Sequence, residues 1–151
     1  MTDWLDLALV YDPATRRCDL ALGDDGDLVL DETPATPMLV SLLTDRRARP
    51  DDVLPSAAGE PPAIGERRGW PGDALDARGR RIGSRLWLLA RAKAGELTQR
   101  FAGEWTREAF GWVTEETGSA AEIAVAWLRR GWLAITVKVD GRAVTVNQRV
   151  G

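Results

Sequence analysis

Hydrophobic and polar positions alternate along the first part of the chain and then change period. Trp4-Leu5-Asp6-Leu7-Ala8-Leu9-Val10-Tyr11 partly alternates apolar with polar or small residues, as a half-buried strand does. Arg17-Cys18-Asp19-Leu20-Ala21-Leu22 forms a second short candidate. Gly23-Asp24-Asp25-Gly26 is a strong turn signal, and Asp27-Leu28-Val29-Leu30 returns as a third strand. The pattern predicts an N-terminal β-meander. We read no internal repeat in the chain.

Residues 36–47 switch to helical spacing, with Met38, Leu39, Leu42 and Leu43 on one stripe and Thr33 or Thr36 available as the cap. Pro37 suits the first turn, and Pro50 is expected to stop the helix. Residues 50–82 are rich in Pro, Gly, Asp and Arg and keep no period, which predicts a long loop, flexible from Leu54 to Gly65. A helix is expected to start at Gly83-Ser84 and run through Leu86, Trp87, Leu88 and Leu89. After Gly95, Leu97, Phe101, Trp105, Ala109 and Trp112 recur at helical spacing, predicting one helix over 96–116 with its stop at Gly118. Period two returns at Ile123, Val125 and Trp127, and again at Leu133, Ile135, Val137 and Val139. Arg129-Arg130-Gly131 and Asp140-Gly141 mark turns, the second leading into Val144 and Val146. The expected class is α+β: an N-terminal β-meander, two to three central helices with a long loop over about 50–82, and C-terminal antiparallel strands.

Composition narrows the chemistry. A chain of 151 residues suits one domain over 1–151, and folding at this size buries enough apolar surface that no disulfide or metal staple is needed. Histidine is absent, which excludes serine–histidine and cysteine–histidine hydrolases, HExxH proteases and histidine-ligated zinc. Cys18 stands alone, so no intrachain disulfide or CxxC pair can form, and a reducing compartment fits. No stretch reaches the ~18 apolar residues of a membrane span. The acidic Met1-Thr2-Asp3-Trp4-Leu5-Asp6 start lacks a leader's basic region, so neither a secreted nor a membrane-spanning chain is expected. No GxxxxGK[ST] or GxGxxG motif occurs, Asp73 and Asp76 fall short of a cation loop, and no cofactor or metal is expected.

The net charge of −3 conceals a gradient. Residues 1–43 hold nine acids against two bases, while residues 44–93 hold eleven bases against seven acids. An acidic arm beside a basic middle can steer oriented assembly with charged neighbours. A nucleic-acid-binding module built on the arginine-rich middle is one alternative, but a pI near 5.1 and the nearby Asp45, Asp51 and Asp52 oppose it. Glycoside hydrolysis needs only two carboxylates, so Glu104 and Glu108 make a peptidoglycan hydrolase the other alternative. Arg100 and Arg107 lie beside that pair at helical spacing, and ion pairing on a solvated face explains it better.

Arg46, Arg47 and Arg49 complement the negative end of the predicted helix, and their density suits bidentate pairing with a partner's carboxylates. Trp70, set between Gly69 and Pro71-Gly72-Asp73, is not assigned to the core by periodicity and has the chemistry of an interface anchor. Gly72 and Gly83 are candidates for backbone-permissive positions. Trp87 reads as a brace of the fold. Val144-Thr145-Val146-Asn147-Gln148, short and alternating, is the candidate strand for pairing with another chain, with Val144 and Val146 at its edge.

With these residues laid out, the chain resembles the small baseplate protein family of Mu-like contractile-tailed phages and prophages. Leu42-Leu43-Thr44-Asp45-Arg46-Arg47-Ala48 is similar to that family's "L-F-T-D-R-R-A" element. Arg67-Arg68-Gly69-Trp70-Pro71-Gly72-Asp73 is similar to its "R-R-G-W-W-G-D" loop, departing at Pro71. Ile82-Gly83-Ser84-Arg85-Leu86-Trp87-Leu88-Leu89, with Lys93 following, resembles its "G-S-R-L-W-L-L" helix start. The wider group's Glu-Pro-Arg element is missing, Glu115-Glu116-Thr117-Gly118 occupying its place.

The resemblance implies a structural part rather than an enzyme, similar to the small baseplate wedge subunit of T-even phages and type VI secretion systems. It implies a larger baseplate wedge protein and tail sheath or hub proteins as partners, with no nucleic acid and no membrane. It further implies oligomeric placement within a virion tail baseplate, assembly in the bacterial host cytoplasm, and a β-rich end that templates sheath by sharing strands. Under that reading Arg46, Arg47, Arg49, Trp70 and Asp73 organise the loop and the partner surface.

Overall fold

The computed structural model describes residues 3–56 and 61–151. Met1-Thr2, the first two residues of the acidic start, and part of the expected flexible stretch, residues 57–60, lie outside the described residues.

Period-two alternation near the end of the chain builds the largest sheet. Strands β5 (Glu122–Arg129), β6 (Trp132–Val139) and β7 (Arg142–Arg149) pair antiparallel in the order β5-β6-β7. Asp140 and Gly141, with φ of 45° and 79°, make the tight turn that a right-twisted hairpin requires. Leu133, Ile135 and Val137 on β6 and Val144 and Val146 on β7 share one face and are buried. Ala124, Ala126, Ala143 and Thr145 occupy the opposite, exposed face.

Helices cover the buried face. Helix α1 (Ala35–Leu43) presents Met38, Leu39 and Leu42 to the core, while Leu43 stays partly exposed. It ends well before Pro50, because Thr44 turns extended and its carbonyl accepts from the Ser84 N–H at 2.9 Å. Arg46, Arg47 and Arg49 therefore do not complement a helix terminus. Neither threonine caps α1 in the expected way. Thr36 Oγ1 instead donates to the Leu7 carbonyl and accepts from the Leu9 N–H, fastening the N-terminal strands to the helix.

The helix expected to start at Gly83-Ser84 is a 3-10 helix over residues 85–91. Three residues per turn set Leu86 and Leu89 toward the main core, while Trp87 and Leu88 join Ala48 and Leu54 in a second cluster. The long helix expected over 96–116 is two helices, α2 (Glu96–Ala109) and α3 (Gly111–Thr117). The break at Phe110 brings that ring and Val113 into the core, and Gly118 ends α3 in the left-handed conformation. Of the large apolar side chains of α2 only Trp105 packs against the hydrophobic clusters. Leu97 is 61% and Phe101 40% exposed, whereas Thr98, Ala102, Thr106 and Ala109 are buried. Small residues let α2 lie close to β5, where Gln99 Nε2 donates to the Val125 carbonyl at 2.8 Å.

The N-terminal strands are present, but their pairing closes on itself. The expected strand over 4–11 breaks at Ala8 into β1 (Asp6–Leu7) and β2 (Leu9–Asp12). Strand β2 pairs with β3 (Arg17–Leu20), and β1 pairs with β4 (Leu30–Asp31). Three backbone hydrogen bonds close the ring: Ala8 N–H to Val29, Ala21 N–H to Ala8, and Val29 N–H to Ala21, at 2.8, 3.0 and 3.0 Å. The reading of no internal repeat is thereby corrected. Asp6-Leu7-Ala8-Leu9, Asp19-Leu20-Ala21-Leu22 and Asp27-Leu28-Val29-Leu30 are three copies of one unit, too short for a periodicity search to register. In each copy the leading aspartate accepts a hydrogen bond from the next residue's N–H, at 2.7, 2.8 and 2.8 Å.

Candidate functional site

The arginine-rich middle of the chain is held by a short parallel clasp between residues 44–46 and 83–85. Asp45 and Ser84 pair across it, with Arg46 N–H donating to the Ser84 carbonyl at 3.0 Å. Ser84 is buried and donates through Oγ to the Leu42 carbonyl at 2.9 Å. Gly83 has a φ of 91°, and a Cβ there would lie 2.2 Å from the Thr44 carbonyl oxygen. Only glycine permits so close a crossing.

The Arg67–Gly69 turn straps over the next residues. Ala48 N–H donates to the Arg67 carbonyl at 2.9 Å, and the Arg67 guanidinium donates to the Arg49 and Pro50 carbonyls. Gly69 presses on Arg47, whose guanidinium reaches the Arg68 carbonyl at 3.5 Å. Arg68 lies 4.4 Å above the Trp87 ring and pairs with Asp45 at 2.7 Å. The Trp87 indole N–H donates to the Arg46 carbonyl at 2.9 Å, so this tryptophan is a buried brace.

A charged cluster ties this strap to α2. Buried Arg85 donates through Nε to Glu108 at 2.8 Å and through Nη1 to both oxygens of Asp52 at 2.7 and 2.9 Å. Arg49 pairs with the second oxygen of Glu108 at 2.6 Å, and Asp52 accepts the Arg49 N–H at 2.7 Å. Burial pushes the Glu108 carboxyl up, but hydrogen bonds from Arg85 and Arg49 and the charge of Arg46 outweigh it. The group is held below the ordinary glutamate range. Burial likewise opposes charge on Arg85, and Asp52 with Glu108 override it, raising that pKa. The solvated Glu108–Arg100/Arg107 pairing expected from sequence is corrected. Glu108 faces Arg49 and Arg85, and it is fixed in its ionised form, contrary to what a general acid requires.

Trp70 and Asp73 lie across the clasp from this cluster. Trp70 is 52% exposed, and its ring lies so close over Gly72 that a Cβ there would come within 2.1 Å of ring carbons. Asp73 Oδ1 accepts the Ile82 N–H at 3.0 Å, and its Oδ2 is buried with no hydrogen-bond partner among the described residues. Trp70, Asp73, Val40, Ile82 and Trp112 border a cleft of about 430 Å³. Asp76 pairs with Arg80 at 2.9 Å, and among the described residues no three acids or cysteines are grouped to hold a metal ion.

Val144 and Val146 lie on the edge strand β7, but both side chains are buried. Val150 N–H donates toward β6, to the Gly131 carbonyl, and Asn147 N–H donates away from it, to the Tyr11 hydroxyl at 3.2 Å. By alternation the amides of Val144 and Val146 face β6, so the outward edge groups belong to Ala143, Thr145 and Asn147. At the other end of the strand Trp4 Nε1 donates to Asp140 at 2.9 Å. The N-terminal segment therefore runs beside β7.

The structure thus joins Arg46, Arg47, Arg49, Ser84, Gly83 and Trp87 in one brace and sets Trp70, Gly72 and Asp73 beside it. Sequence reasoning missed Asp52 and Arg85, whose partners are 33 and 23 residues away for Arg85 alone. The one available signal was an arginine at the head of the apolar run 86–90.

Residues 34–145 match the model of a family described as "Phage protein GP46". The chain is also 39% identical over 144 residues to "Baseplate protein gp46" of Escherichia phage Mu, covering 92% of this chain and 91% of that one. No solved structure gives a significant match.

Proposed function

The chain belongs to the phage protein GP46 family, and from that premise we propose that it is a structural component of a phage baseplate, working through contacts with other proteins. The observation that carries this reading is the collinear likeness to a baseplate protein of Escherichia phage Mu, which extends over nine-tenths of both chains. The site chemistry agrees. Arg49, Arg85, Asp52 and Glu108 are consumed in mutual ion pairs that stiffen a surface, and Glu108, the better half of the candidate carboxylate pair, is held below the ordinary glutamate range between two arginines.

At finer grain, the chain serves as a wedge-type joint of a contractile tail, assembled in the host cytoplasm and seated against a larger baseplate protein and the sheath or hub. Trp70 and Asp73 present the partner surface, while Arg46, Arg47, Arg49 and Trp87 brace it from behind. The outward groups of β7 supply an edge to which a sheath strand can add once the Tyr11 contact is displaced.

Co-expression with the large neighbouring baseplate protein of the same phage tests this. A stable complex with a fixed mass ratio is expected. Absence of any complex, together with turnover of cell-wall substrate that is lost on Glu108→Gln, would establish the hydrolase alternative instead.

A further inference from the structure

The N-terminal lobe takes no part in the brace, and its three repeats are arranged with internal pseudo-threefold symmetry. The second residue of each copy pairs with the fourth residue of another: Leu20 with Leu9, Leu28 with Leu22, and Leu7 with Leu30. The central residues Ala8, Ala21 and Val29 meet in the closed ring of hydrogen bonds. Of the six paired leucines only Leu9 packs against the main core, together with Trp4, Tyr11 and Cys18 from outside the repeats.

We propose that this lobe is a docking knob for a basic, apolar surface on another protein of the baseplate. The inference rests on the assembly reading above and assigns it a surface. Two of the three leucine pairs are solvent-facing on both sides: Leu22 is 69% and Leu30 60% exposed, and their partners Leu28 and Leu7 are exposed as well, while in the third pair Leu20 is exposed and Leu9 packs against the core. Strand pairing in the lobe is made by backbone groups and needs no leucine on the outside. A cluster of exposed leucines on one small lobe marks an interaction site.

Charge selects the partner. The lobe lies within residues 1–43, which carry nine acids and two bases, so a second copy of the lobe is repelled and a basic surface is attracted. Asp6, Asp19 and Asp27 each engage a backbone N–H through one carboxylate oxygen, which fixes three acids in the same setting around the ring. A partner's arginines or lysines can meet each of them in the same way.

The test uses the full chain co-expressed with the large baseplate proteins of its phage, and compares wild type with Leu22→Ser/Leu30→Ser, Asp24→Lys, and Leu128→Ser as an exposed control outside the lobe. Asp24 makes no hydrogen bond among the described residues, so Asp24→Lys tests the charge even where the double variant fails to fold. With thermal melting unchanged, the double variant is expected to weaken the complex at least tenfold. Asp24→Lys is expected to weaken it several-fold and to flatten its salt dependence, while Leu128→Ser binds as wild type. A wild-type complex indifferent to both lobe variants overturns this inference and leaves the baseplate reading standing. No wild-type complex with any of these proteins overturns both. Self-association of the pure chain that the double variant abolishes would make the occupant a second copy and contradict the assignment to another protein.

Discussion

Arg85 and Glu108 meet at 2.8 Å across the seam between the 3-10 helix and α2, and each has a further ionised partner, Asp52 on one side and Arg49 on the other. Four charges from three separated segments thus fix residues 45–52 to the helical layer. Removing one member leaves a buried charge unpaired, a change that typically costs more than the pair itself contributes. Arg85→Ala is expected to lower unfolding free energy by roughly 3 kcal/mol, measured by urea denaturation. A loss near that of an exposed ion pair, about 0.5 kcal/mol, would mean that the cluster is not desolvated.

The same cluster sets an acid dependence. Glu108 is held below its ordinary range in the folded chain. Its contribution is therefore complete above the unfolded glutamate pKa, about 4.3, and is lost as pH falls through the lower folded value. Stability should decline on acidification below about pH 4.5. Glu108→Gln should be less stable at pH 7 and show a shallower decline, read from melting curves between neutral and acid pH.

Gly83 and Gly118 both have positive φ, at 91° and 75°, but only Gly83 is crowded by a neighbour. Gly118→Ala is expected to cost about 1 kcal/mol from backbone strain alone. Gly83→Ala adds a collision with the Thr44 carbonyl and is expected to cost about 3 kcal/mol or more. Equal losses by denaturant titration would contradict the clasp geometry.

Tyr11 guards the β7 edge through the Asn147 amide. Tyr11→Phe is expected to cost about 1 kcal/mol. It should raise hydrogen exchange at the Asn147 amide while leaving the Val146 amide, paired into β6, protected. Unchanged exchange at Asn147 would show that the edge is covered by other means.

Helix α2 leaves Leu97 and Phe101 exposed and buries Ala102. Phe101→Ser is therefore expected to cost well under 2 kcal/mol, whereas Ala102→Leu, one residue on and buried, is expected to cost about 3 kcal/mol by overpacking. The reverse order in thermal unfolding would place the helix the other way round.

The α2 case also shows what could be read in advance. The C-terminal hairpins were legible because alternation and the Asp140-Gly141 and Gly131 turns are local signals with one outcome. Helix α1 was legible in its stripe but not in its end, because its stop depends on Thr44 pairing with Ser84, forty residues away. In α2 Leu97, Phe101 and Trp105 recur at helical spacing, and Trp105 does pack against the core, but Leu97 and Phe101 stay exposed because the helix meets its neighbours through small residues. Trp70, Gly72, Gly83 and Trp87 stood out by residue type, whereas Arg85 and Asp52 acquire meaning only from partners brought together by folding. The three aspartate-led repeats were visible in the chain, but four-residue units at unequal spacing carry no period until the ring is seen.

The central claim is that this chain is a built-in part of the particle. Quantitative mass spectrometry of purified tails tests it most directly. We expect the chain at a fixed copy number relative to the other baseplate proteins, retained through high-salt washing. Its absence from intact tails, or a content that varies between preparations and washes away, would contradict the account.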